Sequence, residues 1–596
     1  MILTRRFFPY FVTQCLGALN DNIYKNVLLL MATYSQIEHL PIGINLFVNL
    51  AAGLFILPFF LFSAYAGLVA DNMDKAKLIR RLKLLEVAIM SCAAVAILTS
   101  SYLAMLVLLF LMGSQSAFFG PVKYSILPQA LFEDELVKGN AWVEMGTFLS
   151  ILLGTLGAGL LISRDPSATM AALLVVVLAG CGYLSSLGIP PLPAQGKIQH
   201  IKFAPLSGTW RSIGKVRANP SLWTAVLAIS WFWFLGATYL TQFANFTKLY
   251  LHGDASVVAL LLALFSIGIA LGSFLCERLS FGHVELGLLP FGLAGLTLFG
   301  LSLCFCLPSL PSDPLLHHDL GGFLAVTSHY PVMLSLLMIG VSGGLFIVPL
   351  YAFIQSRAEK GQCAQAIAAN NIVNALFMVG SAVLAILLLE VLGISIVSLF
   401  MLLASINLLV ALFLFTGVAE FRQRFVAYLV NHLFNRLSVV GREKLPSLEA
   451  GIILCQVDSR WDLFRVLGTS TRAIHFVADP VLIRGGFFLS WFGQDLIPWP
   501  ARAEGSTIDK QTLEAIETHL SRGELVCIVR SKNQTNWPEV LDKLLWDHEV
   551  AVNLMQLSPA VSSLGIKREY LAAIGSPLLD VGRQEIQQAW AELQQG

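Results

Sequence analysis

The chain has 596 residues, 56% of them hydrophobic and only 13% charged, with a formal net charge of +1. That much apolar side chain exceeds what a water-soluble core can bury, and places most of the chain in a membrane. The near-balance of charge excludes nucleic acid as a partner, and nine cysteines scattered through apolar stretches, without a CxxC pair or a Cys/His cluster, exclude a disulfide framework and give no metal site or cofactor.

A membrane-crossing helix needs about 20 predominantly apolar residues. On that length the sequence predicts twelve spans, at 7–33, 44–70, 78–99, 101–120, 140–163, 168–188, 221–247, 256–277, 283–306, 331–356, 364–389 and 393–416. The first follows Arg5 and Arg6 without a small-residue cleavage site, so a retained helix is expected there and not a signal peptide. The segment 190–220, with Lys197, Lys202, Arg211, Lys215 and Arg217, separates six spans (1–189) from six (221–416). Basic loops are retained on the cytoplasmic side. Arg5, Arg6, the run from Lys75 to Lys83, the central loop, Arg357 and Lys360 fall on one side, while the connections Gln36 to Ile44 and Pro308 to Tyr330 carry no Lys or Arg. A multi-pass protein with both termini in the cytoplasm is therefore expected.

Beyond residue 416 the spans stop. Residues 417–438 mix Phe421, Phe425, Tyr428, Leu429, Leu433 and Phe434 with Arg422, Arg424 and Arg436 at helical spacing, which suggests an amphipathic linker helix, lying on the inner leaflet or packed on the domain that follows. Residues 439–596 alternate β-rich runs such as Gly451–Cys455 and Leu525–Val529 with polar helical stretches, and read as a soluble α/β domain.

Six plus six spans around a basic loop is the outline of the major facilitator fold, whose halves enclose a central cavity. The connection between spans two and three, from Gly67 through Asp71 and Lys75 to Arg80, is similar to that superfamily's loop motif. These four residues are candidates for conformational gating; a charge run after a span also serves plain topology. Ionisable groups inside a membrane helix are costly unless they face water or partners. Asp21, Asn22 and Lys25 in the first span, Lys123 before Pro128, and Glu144 in the fifth span are thus candidates to face the pathway, where they could bind a zwitterionic or amine-bearing head group, or to form a network that only fixes packing. The second half offers Trp233 and Gln242 in span seven and Asn370 and Asn374 in span eleven, uncharged groups that suit an acyl chain or ordinary bundle packing.

The strings LGALNDNIYKN, FGPVKYSILPQ, GNAWVEMGTFLSILLGTLGAG, SWFWFLGATYLTQFANFTK and IAANNIVNALFMV resemble the bacterial lysophospholipid transporter family of the major facilitator superfamily, over residues 1 to about 416. The resemblance implies that a lysophospholipid, chiefly lysophosphatidylethanolamine, is flipped from the outer to the inner leaflet of the bacterial inner membrane for reacylation. It also implies head-group recognition by Asp21, Lys123 and Glu144.

The segment from Val440 to Pro446, with Gly451 to Asp462, His475 to Asp479, Gly493 to Pro498 and Tyr570 to Pro577, resembles the glycerolipid acyltransferase fold. Active members of that family carry an HxxxxD box whose histidine deprotonates the acceptor hydroxyl. Here Asp462 aligns with the aspartate, but Val457 stands at the histidine position and Ser531 at a second family carboxylate. No catalytic residue is expected; the domain reads as a pseudoenzyme with a regulatory or scaffolding role, which could dock a separate acyltransferase or acyl-carrier protein. A bifunctional transporter-acyltransferase, or a small-solute or drug exporter of the same superfamily, are the alternatives.

Overall fold

The computed structural model describes residues 1–34, 44–165, 167–196, 203–308, 318–446, 449–470, 472, 474–478, 496–498, 510–531, 550–559, 568–578 and 583–595. Lys197 and Lys202, most of the connection from Gln36 to Ile44, part of that from Pro308 to Tyr330, and Asp479, Gly493 to Asp495 and Lys532 lie outside them. The chain divides into two units. One comprises Met1–Val284 with Leu288–Leu414, the other Phe415–Gly596 with Glu285–Gly287.

Among the described residues the first unit has twelve long helices: α1 (Phe8–Tyr34), α2 (Ile44–Asn72), α3 (Lys75–Leu98), α4 (Tyr102–Ser125), α5 (Leu136–Arg164), α6 (Thr169–Leu187), α7 (Pro220–Tyr250), α8 (Ala255–Leu279), α9 (Leu289–Phe305), α10 (Tyr330–Arg357), α11 (Cys363–Ile386) and α12 (Ile396–Gly417). Ten of the described helices are long and apolar enough to cross a membrane. The two long helices outside that set are α1 and α3, and they hold Asp21 with Lys25 and Lys83 with Glu86. Polar caps start several of the twelve: Asp74 accepts a hydrogen bond from Lys77 N (2.9 Å), Asn219 from Leu222 N (3.0 Å), and Asp254 from Ser256 N (2.8 Å). A further short helix, Pro205–Arg217, lies in the segment between the halves.

Successive helices alternate in direction, so one end of the bundle gathers residues near 8, 72–75, 125–136, 187–220, 279–289 and 357–363. At this end the halves are tied together. Asp71 on α2 accepts from the backbone N–H of Ala364 (2.9 Å) and Gln365 (3.1 Å) and from the Gln365 amide (3.1 Å). A carboxylate therefore caps the positive N-terminus of α11. Lys138 on α5 pairs with Glu277 on α8 (2.8 Å), and Asn140 and Gln355 exchange hydrogen bonds of 2.7 and 2.9 Å. Gly67 permits the close approach of α2 and α11, since a Cβ there would lie 2.7 Å from Ala368 Cβ and 2.9 Å from Ala364 O. Towards the opposite end, by contrast, a methyl group added at Gly53, Gly157 or Gly236 would meet nothing within 4 Å.

Among the described residues the second unit holds a seven-stranded sheet in the order β1-β7-β6-β2-β5-β3-β4, with β1 Asn435–Val440, β2 Gly451–Val457, β3 Ile474–Ala478, β4 Leu496–Pro498, β5 Leu525–Ser531, β6 Ala551–Pro559 and β7 Arg568–Ile574. All neighbours pair in parallel except β6 and β7. Apolar runs in β2 and β5 match strands covered on both faces. One face packs Phe464 and Leu467 of α14 (Arg460–Thr469) together with Val426 of α13 (Ala419–Tyr428). The other packs Ile516 and Leu520 of α15 (Lys510–Ser521) and Trp590 of α16 (Arg583–Gln595). Helix α13, the linker of the sequence reading, is thus part of this unit's core. Its Arg424 is buried and donates to Leu467 O (3.0 Å), Arg472 O (2.8 Å) and Ser470 O.

Candidate functional site

The ionisable residues picked out in the first six helices fall into two tiers within the first half. The upper tier lies near the middle of α1. Asp21 accepts from Ser116 Oγ on α4 (2.7 Å), Lys25 Nζ donates to Asn22 Oδ1 (3.2 Å) and lies 5.6 Å from the Phe55 ring centroid, and Asn26 donates to Thr155 Oγ1 (3.2 Å). The lower tier lies seven residues nearer the tied end of both α1 and α4, about 10 Å along a helix axis. There Lys123 Nζ donates to Thr147 Oγ1 (2.7 Å), Thr147 to Gln14 Oε1 (3.2 Å), and Tyr124 OH to Glu144 Oε1 (2.5 Å). Tyr10 OH also donates to Lys123 O.

The partners of these four charges are hydroxyls and amides. Asp21 Oδ1 and Glu144 Oε2 are buried and have no hydrogen-bond partner among the described residues. Asp21, Asn22, Lys25 and Lys123 remain part-exposed although the bundle surrounds them, whereas Glu144 is completely buried. The structure therefore brings Lys123 to Glu144 and Asp21 to Lys25, and sets the two couples apart.

A third buried couple was not read from the sequence. Lys83 and Glu86 on α3 are 1% and 2% exposed and form an ion pair of 2.6 Å, with Gln115 also donating to Glu86 (3.2 Å). A Cβ on Gly17 would lie 2.3 Å from Lys83 Nζ, so only glycine at this point of α1 leaves the ammonium its place. Lys83 had looked like the tail of a basic loop; the signal that could have found the couple was Glu86, alone in the apolar run from Leu84 to Met90.

In the second half the residues picked out are neutral. Tyr351 on α10 stacks on Tyr124 across the halves (centroids 4.1 Å apart, planes at 3°), and Trp233 Nε1 donates to its hydroxyl (3.3 Å). Trp233 also stacks on Phe148 of α5 (5.9 Å). Asn374 accepts from Ser230 (2.7 Å), and Asn370 is fully buried on the same helix. Gln242 is part-buried nine residues further along α7, about 14 Å nearer the other end. Neither Tyr124 nor Tyr351 was singled out in the sequence, because tyrosine in a span is most often interfacial or packing.

The four gating candidates divide. Gly67 and Asp71 join the halves. Arg80 stays within its own half, donating to Ile189 O (2.7 Å) and Leu187 O (3.3 Å) at the C-terminus of α6, and Lys75 is buried with its backbone N–H on Leu192 O (3.0 Å).

In the second unit, Asp462 lies at the first turn of α14, just past the C-terminal end of β2. Its carboxylate accepts from Asp458 N (2.9 Å) and Ser459 N (2.7 Å) and is paired with Arg465. Val457, at the last position of β2, is buried.

Residues 10–379 match the model of the Major Facilitator Superfamily. The chain belongs to that superfamily. Among curated relatives it is 28% identical over 370 residues to the lysophospholipid transporter LplT of Klebsiella pneumoniae (strain 342), covering 60% of this chain and 82% of the relative. It is 27% identical over 355 residues to the LplT of Enterobacter sp. (strain 638), covering 58% and 79%. Among solved structures, the human organic anion transporter MFSD10 (TETRAN) superposes with a TM-score of 0.57 at 14% identity, covering 69% of this chain and 99% of that one. FucP in its outward conformation gives 0.53 at 12% identity, covering 69% and 99%. At such identities these likenesses establish the fold. The superfamily match ends before the α/β unit begins.

Proposed function

We propose that this superfamily member is a flippase that moves lysophospholipids from the outer to the inner leaflet of a bacterial inner membrane for reacylation, with both termini in the cytoplasm. The observation that carries the reading is the pair of carboxylates, part-exposed Asp21 and buried Glu144, each with one buried oxygen lacking a partner among the described residues and each held by a hydroxyl, with Lys25 and Lys123 nearby on neutral groups. Unpaired charge in a bundle interior is costly and is retained where a ligand completes it. A zwitterionic head group supplies both complements, an ammonium for the carboxylates and a phosphate for Lys123. The neutral aromatic and amide side, with Trp233, Gln242, Asn370 and Asn374, suits the acyl chain. The similarity to transporters named for lysophospholipids favours this cargo over a small solute or drug.

Two tiers about 10 Å apart give the head group successive resting places, the upper at Asp21 and the lower at Lys123 and Glu144. The bundle is tied at the end that carries the basic loops, which corresponds to a state closed to the cytoplasm. Release then requires Asp71 to leave the N-terminus of α11, with Gly67, Lys75 and Arg80 forming the rest of the hinge region. The α/β unit is a pseudo-acyltransferase in this reading, because a valine at position 457 cannot take a proton from an acceptor hydroxyl; it scaffolds the transporter or docks an acyltransferase or acyl-carrier protein.

The test is uptake of labelled lysophosphatidylethanolamine by spheroplasts. Asp21→Ala is expected to abolish it at an unchanged membrane level of the protein, and undiminished uptake would sink the proposal. Full-length protein supplied with acyl donor and lysolipid is expected to show no acyl transfer above a buffer control; transfer above that control would restore the bifunctional alternative.

A further inference from the structure

The α/β unit brings three metal-ligating side chains to one point at the edge of the sheet opposite Asp462. His475 is the second residue of β3, His519 lies in the last turn of α15, and Glu524 immediately precedes β5. His475 Nε2 is 3.2 Å from Glu524 Oε2, His519 Nδ1 is 2.6 Å from the same oxygen, and all three ligand atoms lie within 4.8 Å of one another. Because β2, β3 and β5 run parallel, Asp462 follows a C-terminal strand end whereas this cluster occupies the N-terminal ends, roughly 20 Å away along seven residues of strand.

The chain holds the three groups in place by its backbone. Gly523 adopts φ +73°, and the N–H groups of Arg522, Gly523 and Glu524 return to His519 O (3.2 Å), Leu520 O (2.9 Å) and His519 O (3.0 Å). This left-handed glycine closure of α15 turns Glu524 back onto His519. Arg472 donates to Gly523 O, and to Pro446 O and Glu449 O (both 2.8 Å), which fixes the turn against the sheet. Ile474 pairs with Leu525 and His475 with Val526, so the β3 histidine stands diagonally beside Glu524.

We infer that His475, His519 and Glu524 form a binding site for a divalent transition-metal ion such as Zn²⁺, with a position left open to water. Two imidazoles and a carboxylate are a donor set that suits Zn²⁺ and its first-row neighbours over Mg²⁺ or Ca²⁺. Ligand bonds of about 2.0–2.2 Å to a tetrahedral ion put ligand atoms about 3.3 Å apart. The His475–Glu524 separation already has that value; to admit the ion the His519–Glu524 contact opens by about 0.7 Å and the two imidazoles, stacked with centroids 3.8 Å apart and planes at 24°, turn out of their stack. The side chains are 15%, 23% and 35% exposed, enough for entry of an ion and for a water ligand. The ion clamps α15 to the inner strands of the sheet, away from the acyltransferase-like edge, and the site is independent of the cargo of the membrane unit.

The full-length chain, carrying an affinity tag without histidine and freed of metal by chelator, is titrated with ZnCl₂ in detergent micelles by calorimetry. A saturable high-affinity site is expected in the native protein and its loss in His475→Gln/His519→Gln, with His519→Gln alone weakening Zn²⁺ at least about tenfold. Equal Zn²⁺ affinity in the native and doubly substituted proteins would overturn the inference. Co²⁺ gives a second readout on the native chain alone, so the question survives a variant that does not fold. Visible bands of a nitrogen- and oxygen-ligated four- or five-coordinate ion, without thiolate charge transfer, support the site, and the spectrum of the hydrated ion refutes it.

Discussion

Two sets of charges lie in the first six helices, and they are held in different ways. Lys83 and Glu86 neutralise each other at 2.6 Å within one helix, against a glycine that makes room for the ammonium. Asp21, Lys25, Lys123 and Glu144 are each held by a neutral group on the same or a neighbouring helix. The first arrangement is neutral as an ion pair, although Glu86 Oε1, like Asp21 Oδ1 and Glu144 Oε2, has no hydrogen-bond partner among the described residues. The second holds its charges on neutral groups, and the binding role proposed for these four residues is what sets them apart from the ion pair.

The sharpest way to break the contrast is to remove one charge from each set. Lys83→Met strands Glu86 in a dry interior, and loss of one partner of a buried pair costs roughly 3–5 kcal/mol. Membrane yield and thermal unfolding in micelles should both fall steeply, and Lys83→Met/Glu86→Met should recover most of the loss. Glu144→Gln instead removes a charge that has no ionic partner within bonding distance. Stability should change little while lysolipid uptake drops roughly tenfold to a hundredfold, as a charged hydrogen bond of about 1.5–3 kcal/mol implies. If Glu144→Gln unfolds the protein and Lys83→Met leaves it intact, the assignment of the two sets is reversed.

Next in size is the tie between the halves. Asp71→Asn keeps the shape of the side chain and removes the charge from the N-terminus of α11, a contribution of up to about 2 kcal/mol in a partly buried setting. The closed end should open more often, by up to about thirtyfold in population. Maleimide modification of Cys363, read residue by residue by mass spectrometry, should accelerate; Arg80→Gln, which loosens contacts within one half only, should leave that rate nearer to the native value.

The bundle was legible in the sequence because a span is a local property, about 20 apolar residues between charged ends. Asp21, Lys25 and Glu144 stood out for the same reason, as charges in an apolar setting. What stayed hidden depends on assembly. Lys83 continued a basic run and so resembled topology; its ion pair with Glu86 is an i,i+3 contact within α3, and only the burial of that pair beneath Gly17 waits for α1 and α3 to pack. The separation of Asp21 from Lys123 and Glu144 into tiers is a matter of depth on different helices, which composition does not record. His475 lies 44 residues before His519 in the chain, so nothing local joins them; the parallel pairing of β3 with β5 and the turn at Gly523 do.

The smallest effect sharpens the difference between the charged residues of the first half and the neutral ones of the second. Trp233 meets Tyr351 through an indole hydrogen bond of 3.3 Å and Phe148 through ring stacking, contacts of about 0.5–1.5 kcal/mol each. Trp233→Phe keeps the stacking surface and loses the hydrogen bond, so uptake of lysolipid should fall only a few-fold. If the neutral side receives the acyl chain, that loss should depend on chain length at a fixed head group, whereas the loss in Glu144→Gln should depend on the head group at a fixed chain. Uptake measured over a small matrix of head groups and chain lengths distinguishes the two, and a Trp233→Phe defect that follows the head group would place the polar end of the cargo on the second half.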